Sequence, residues 1–434
     1  MGGQACNPRG PNMTAATLTQ PRAQSRVAAV VTASIGNALE WFDFAVYGFF
    51  ALTISKLFFP ASDQALSLLL TFGTFGVTFF VRPFGAIVLG GYADRHGRKA
   101  TLILTIGLMM LGTAIIAVTP TYASIGVLAP LAIVIARMIQ GFSAGGEFGR
   151  ATAFLAEQNP QRRGFFASWQ LASQGLTTVL ATGFGVVLST LLAPGQLESW
   201  GWRTPFVFGL LIGPVAYYIR RHVDEAPEFK SIARSDAPLR EAFLTDKSRM
   251  LISLGVVVVG TVTTYMTLFM PTYAVRELGL KPAGTFMAGL LYGVIQIVLI
   301  PMFGSLSDRI GRLPVPAACA IAILLGIYPL FGWLASEPTL QTLLIAWAIL
   351  GVLIAGYHGS IPALMAELFP IRTRTTGLSI SYSFGVMIFG GFAPFILQWL
   401  IELTGSKLAP SFYVMLAAGI SLIALAAARG ARYR

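Results

Sequence analysis

A few polar residues set inside apolar runs carry the chemistry open to this sequence. In the stretch GNALEWFDFAVYGFF, Gly36 to Phe50, two acids, Glu40 and Asp43, stand three residues apart. Arg82 opens RPFGAIVLG, Arg137 and Gln140 fall in RMIQGFSAGGE, and His358 lies in AGYHGSIPA. A charge in hydrocarbon is costly, so such residues mark a pathway, a proton relay or a buried ion pair. Spacing i, i+3 puts Glu40 and Asp43 on one helix face. A low dielectric favours a neutral carboxyl and a nearby arginine opposes it, which suits the two acids to load and release a proton, as carriers or as a gate. Arginine stays charged and can hold a carboxylate through two parallel hydrogen bonds. Gln140, three residues beyond Arg137, adds a donor on the same face. The chemistry indicated is coupled movement of a proton and an anion, without ATP.

A plainer alternative stands beside each residue. Intramembrane acids and arginines commonly neutralise one another as structural pairs, and Glu147 with Arg150 three residues on reads as a local pair. His358 is open between a packed polar residue and a ligand for substrate or proton.

The elements that must hold these residues are membrane helices. The chain of 434 residues is 55% hydrophobic and 11% charged, where soluble domains carry about 25% charged residues. A bilayer core takes about 20 apolar residues per helix. Spans are expected near 28–55, 65–92, 100–119, 124–152, 164–192 and 203–219, then 250–275, 284–306, 314–335, 339–366, 376–401 and 410–428. The turn at Thr119 to Tyr122 splits a long run without charges in two. The fold expected is all-α, twelve transmembrane helices in two six-helix halves. Its divisions are a disordered tail at 1–27, a first half at 28–220, a polar linker at 221–249, a second half at 250–428 and a short tail at 429–434. Met13 would make an ordinary start, so residues 1–12 read as an extension.

Net charge is +12, which alone would allow a nucleic-acid partner. The basic residues instead cluster in short connections, such as Arg95, Arg98 and Lys99, then Arg162 and Arg163, then Arg309 and Arg312, alternating with connections poor in them. That is the positive-inside pattern, and it puts both termini and the basic loops in the cytoplasm of a bacterial inner membrane. No long basic tract interleaved with aromatics suggests nucleic acid. Two cysteines and three histidines give neither a disulfide framework nor a metal site, and no cofactor is expected.

Two motifs repeat at an offset of half the chain. GGYADRHGRK at 90–99 returns as GSLSDRIGRL at 304–313, and Glu157, Pro160 and Arg162 return as Glu367, Pro370 and Arg372. Matching loops on one side of the membrane imply parallel halves with a site between them. The Gly-x-x-x-Asp-Arg-x-Gly-Arg loops resemble those of the major facilitator superfamily. Within it, GNALEWFDFAVYG, RPFGAIVLG, RMIQGFSAGGEFG, SWGWRTPF, RRHVDEAPEF and AELFPIRTRTTGLSISYSFGVMIFGG are similar to the metabolite:proton symporters. FFPASDQALSLLLTFGTFG, MPTYAVRELGL and IELTGSKLAPSFY carry a finer resemblance to the citrate–proton (tricarballylate) symporter branch.

The resemblance implies the major facilitator fold, uptake of an organic anion such as citrate with protons, and a monomer in the lipid bilayer. It implies a part for Arg137 in coupling or substrate binding; Gln140, by its spacing, and Arg82 and His358, by charge balance with an anion, are the further candidate contacts. His358 departs from the branch, where an amide-type residue is usual. It also implies a gate of Asp94, Arg95 and Arg98, echoed by Asp308 and Arg309, in which Asp94 meets a helix end of the other half. The second copy departs from the first, since that loop ends in Leu313 rather than a base. Symporters of 2-oxoglutarate, shikimate or proline and betaine share most of these stretches. An ATP-driven pump would need a phosphate loop, and GGEFGRAT lacks its lysine. No enzyme's catalytic set is present; a channel and a drug exporter are the remoter alternatives, without a selectivity-filter pattern to favour the channel.

Overall fold

The computed structural model describes residues 26–221 and 247–431, apart from Gly97, Gly146, Ile371 and Arg372. Every regular element among them is helical. The first half comprises α1 (Arg26–Phe49), α2 (Ala51–Phe58), α3 (Gln64–His96), α4 (Arg98–Val118), α5 (Tyr122–Ile125), α6 (Leu128–Ser143), α7 (Glu147–Glu157), α8 (Arg163–Leu191), α9 (Pro194–Ser199) and α10 (Thr204–Arg221). The second comprises α11 (Lys247–Arg276), α12 (Pro282–Ile310), α13 (Pro314–Ser336), α14 (Leu340–Leu368), α15 (Arg374–Gly385), α16 (Ala393–Thr404) and α17 (Ala409–Ala431). Eight helices are long and apolar enough to cross a membrane, and α1 with α2 forms a ninth, bent span. The shorter apolar α4, α6 with α7, and α10 complete the twelve expected spans. Most of the expected tails and linker lies outside the described residues.

Three spans expected to be continuous are interrupted. The first bends by 72° between α1 and α2 with no proline at the break. Just before it, Gly48 lets α11 come close: a Cβ there would lie 3.0 Å from Leu268 Cβ. The fourth breaks between α6 and α7 where Gly145 lies against the backbone of Arg82 and Ala86. The eleventh carries a wide turn, Val386–Gly391, between α15 and α16. Such π-type turns gather at functional sites.

The largest contact between the halves runs along α8 and α12. Glycines let these backbones meet, as small residues do wherever membrane helices pack closely. A Cβ on Gly175 would lie 2.8 Å from the Gly293 carbonyl oxygen, and one on Gly293 would lie 2.9 Å from that of Gly175. Nearer the repeat loops, Gly304 meets Gly164 in the same way. This seam brings the central faces of α1, α3 and α8 opposite α11, α14 and α15.

Candidate transport site

Arg137 is fully buried, and aromatic rings surround it. Its guanidinium lies 4.4 Å from the Tyr47 ring centre, 5.0 Å from that of Phe44 and 5.3 Å from that of Phe75. Arg82 lies under a neighbouring set, 4.4 Å from Phe79, 4.7 Å from Trp41 and 4.9 Å from Phe44. Phe44 is thus flanked by both cations. Ring faces carry negative charge, so this packing offsets part of the cost of burying two like charges. It does not satisfy their donors. Arg137 Nη1 donates to Gln140 Oε1 at 2.9 Å, while its Nε and Nη2, and Nε of Arg82, have no hydrogen-bond partner among the described residues.

Asp43 does not pair with Arg137 directly; among the described residues Arg137 makes no ion pair. The link is indirect. Thr113 of α4 donates to Asp43 Oδ2, and Gln140 Nε2 donates to Thr113 Oγ1 at 3.0 Å. Asp43, Thr113, Gln140 and Arg137 therefore form one buried chain across α1, α4 and α6. Asp43 Oδ1 has no partner and points toward Gly209 of α10.

Glu40 shares the helix face of Asp43 as its spacing predicts, yet its surroundings differ. It is half-buried, and with Asn37, Trp41, Arg82, Tyr382 and Ser383 it lines a small cavity between the halves. A second cavity lies beside it. There Trp41, Gln174, Tyr265, His358 and Tyr382 converge, with Gly260 and Thr261 of α11. This cavity holds about 20 Å³, room for about one water, so the conformation is closed around its centre. Tyr265 Oη is buried with no hydrogen-bond partner among the described residues. His358 is 7% exposed, and its Nε2 abuts Gly260. The structure thus brings Glu40, Arg82 and His358 to the space between the halves, and sets Asp43, Arg137 and Gln140 one layer deeper in the first half.

Ion pairs close the end of the bundle that bears the repeat loops. Asp308 of α12 accepts hydrogen bonds from the backbone N–H of Gly164 at 2.8 Å and Phe165 at 3.0 Å, at the start of α8. A carboxylate is favoured at that positive helix end. Arg312 Nη1 holds the same carboxylate at 2.6 Å, and its Nε pairs with Glu367 at 3.0 Å. Arg374 of α15 crosses to Glu157 of α7 at 3.2 Å. Arg309 is exposed. The side chains of Asp94, Arg95, Arg98 and Glu147 lie outside the described residues.

Sequence reasoning overlooked Thr113, Gln174, Tyr265 and the Arg312–Glu367 and Arg374–Glu157 pairs. The repeated Glu-x-x-Pro-x-Arg pattern pointed to the two glutamates. The repeated Gly-x-x-x-Asp-Arg-x-Gly-Arg loop held Arg312, and nothing comparable marked Thr113, Gln174 or Tyr265.

Two similar halves of membrane helices, buried charges beside their seam and ion pairs closing one end are the architecture of a two-half membrane carrier. The chain belongs to the major facilitator superfamily, whose family profile matches residues 33–303 and 290–432. It is a multi-pass membrane transporter. It is 36% identical over 424 residues to the citrate-proton symporter of Klebsiella pneumoniae, over 96% of this chain and 95% of that one. It is 33% identical to the alpha-ketoglutarate permease of Escherichia coli (strain K12), over 94% of each chain. The crystal structure of D-xylose-proton symporter superposes with a TM-score of 0.73 at 17% identity, over 91% of this chain and 97% of that one, a likeness of fold.

Proposed function

We propose that this protein carries an organic anion, citrate or a related tricarboxylate, together with protons into the cytoplasm by alternating access. The observation that carries the reading is Arg137, a buried cation with two unpartnered donors and no ion pair among the described residues. A buried charge left unpaired is expensive, and a carboxylate arriving at the fork would repay it. Arg82 adds a second cation next to the cavity, and Gln174, Tyr265 and His358 add neutral polar contacts from the other walls. Asp43 is the proton carrier and Glu40 lies on the proton route. Loading a proton offsets anion charge and draws on the inward proton gradient. The repeat loops and both termini face the cytoplasm, so the Asp308 and Arg374 contacts are the cytoplasmic gate in its shut position.

The identity to a citrate-proton symporter over nearly the whole chain supports the substrate class. A dicarboxylate such as 2-oxoglutarate is the second reading, supported by the likeness to the permease. Betaine fits less well, because its permanent ammonium would enter beside the Arg82 cation on the cavity wall. Purified protein should be tested for thermal stabilisation by citrate, 2-oxoglutarate, shikimate and betaine, since a ligand that binds only folded protein raises its apparent stability. Stabilisation by citrate is the expected outcome. A response to betaine without one to any of the three acids would overturn the anion reading.

A further inference from the structure

We propose that Thr113 is the positioning residue that conveys the protonation state of Asp43 to Arg137, with its hydroxyl hydrogen as the moving part. The inference rests on the reading of Asp43 as proton carrier. Three groups converge on Thr113 Oγ1. Asp43 Oδ2 and the Met109 carbonyl oxygen, the latter at 3.0 Å, compete for its single hydrogen. Gln140 Nε2, at 3.0 Å, uses it as acceptor. Gln140 then holds Arg137 Nη1 at 2.9 Å by its other amide atom. Asp43, Thr113, Gln140 and Arg137 are all 5% exposed or less, so no solvent supplies an alternative partner.

The two protonation states of Asp43 require two settings of this hydroxyl. An ionised carboxylate only accepts, so Thr113 must donate to it. Once Asp43 takes a proton on Oδ2, the new O–H donates to Thr113 Oγ1, and the threonine hydrogen turns to the Met109 carbonyl. No heavy atom has to move. In the first setting the anion polarises the chain and strengthens the Gln140 bond, which keeps Arg137 turned to Gln140. In the second, two donors share Oγ1, the Gln140 bond weakens, and Arg137 can turn its open Nε–Nη2 edge to an incoming carboxylate. Proton loading therefore precedes tight anion binding. Among the described residues, the charged and titratable groups that face this chain are Arg137 of α6, Arg82 of α3, beyond the Phe44 ring, Tyr47 of α1 itself and Tyr265 of α11, behind the Phe75 ring; α10 contributes Gly209, which has no side chain to titrate.

Thr113→Val keeps the shape and removes the hydroxyl, and Thr113→Ser keeps the hydroxyl. In purified protein, infrared difference spectra should show a protonated-carboxyl band that Asp43→Asn abolishes. Thr113→Val should shift that band and Thr113→Ser should return it to its original position. In proteoliposomes with labelled citrate, Thr113→Val should keep exchange while losing about tenfold in accumulation driven by an imposed pH gradient, the effect of one lost charge-assisted hydrogen bond. The pH dependence of its citrate affinity, beyond that of citrate's own ionisation, should shrink, and Thr113→Ser should restore both. An Asp43 band unmoved in Thr113→Val, or wild-type accumulation and pH dependence in that variant, would overturn the relay. If Asp43→Asn also accumulates citrate normally, it is the proton-carrier reading that falls, and the relay with it.

Discussion

The Asp308 carboxylate lies 2.8 Å from the amide nitrogen of Gly164, so one half of the protein caps a helix belonging to the other. Helix caps of this kind are ordinarily local in sequence; this one spans the seam. It holds only while the two halves are together at this end, so it stabilises one conformation of the carrier and not its opposite. Removing its charge should tip the balance. Charge-assisted hydrogen bonds contribute about 1.5–3 kcal/mol each. Asp308→Asn should therefore raise the population open at this end about tenfold or more, measured as faster thiol labelling of a cysteine placed at Ser168. Labelling at the wild-type rate would show that the cap does not hold the gate.

Asp43 and Glu40 should separate in their effects, because their surroundings differ. Asp43→Asn fixes the deep site as neutral, which permits exchange of substrate but stops net cycling with protons. Uphill uptake in proteoliposomes should fall to background while counterflow persists. Glu40→Gln, on the cavity wall beside Arg82, should slow uphill uptake without abolishing it. Normal accumulation by both variants would make the acids structural.

Much of this arrangement was legible before any coordinates. Twelve spans follow from apolar run length, and the Asp308 loop follows from its repeat. Glu40 and Asp43 stand out because a charge is rare in such surroundings. Thr113 could not stand out in that way. Threonine is frequent in these helices and usually turns back on its own turn, as Thr71 does to the Ser67 carbonyl and Thr74 to that of Leu70. Thr113 makes the same bond to Met109 and differs only in meeting Asp43 as well, a contact between α1 and α4 fixed by tertiary packing. The bend after Phe49 was hidden for a similar reason: no proline marks it, and the close approach of Leu268 to Gly48 comes from another helix. Depth was hidden too. Glu40 and Asp43 share a face by spacing, yet one reaches the cavity and the other a closed chain of hydrogen bonds.

Close helix approach in the first half gives a stability prediction. A Cβ on Gly141 of α6 would collide with the Thr78 carbonyl of α3, and one on Gly85 of α3 with the Phe142 carbonyl of α6. These two glycines hold the helices that carry Arg82 and Arg137. Gly141→Ala must push α3 and α6 apart, and overpacking of this kind costs about 1–3 kcal/mol. Its melting temperature in detergent should fall measurably. Gly107→Ala, with nothing within 4 Å of the added atom, is the control and should not lower it, since alanine without a clash is the better helix former. An equal response in the two variants would refute the packing argument.

The nature of the substrate contact can be tested at Arg137. Its Nη1 is held by Gln140, which leaves Nε and Nη2 as the free edge, two parallel donors at the spacing of a carboxylate's oxygens. Lysine keeps the charge but concentrates it at one point on a flexible stem, and cannot present that edge or lie flat against Tyr47 and Phe44. If Arg137 is the principal electrostatic contact, Arg137→Lys should weaken citrate binding nearly as much as Arg137→Gln does. Losing one or two charge-assisted bonds, each about 1.5–3 kcal/mol, corresponds to tens-fold or more in affinity. If Arg137 serves instead only to balance Asp43 through Gln140 and Thr113, lysine should preserve binding while glutamine alters coupling. Titrating citrate into wild type, Arg137→Lys and Arg137→Gln by calorimetry separates these outcomes. Unchanged affinity in the lysine variant would remove Arg137 from the binding site and leave Arg82, on the cavity wall, as the cation the anion meets.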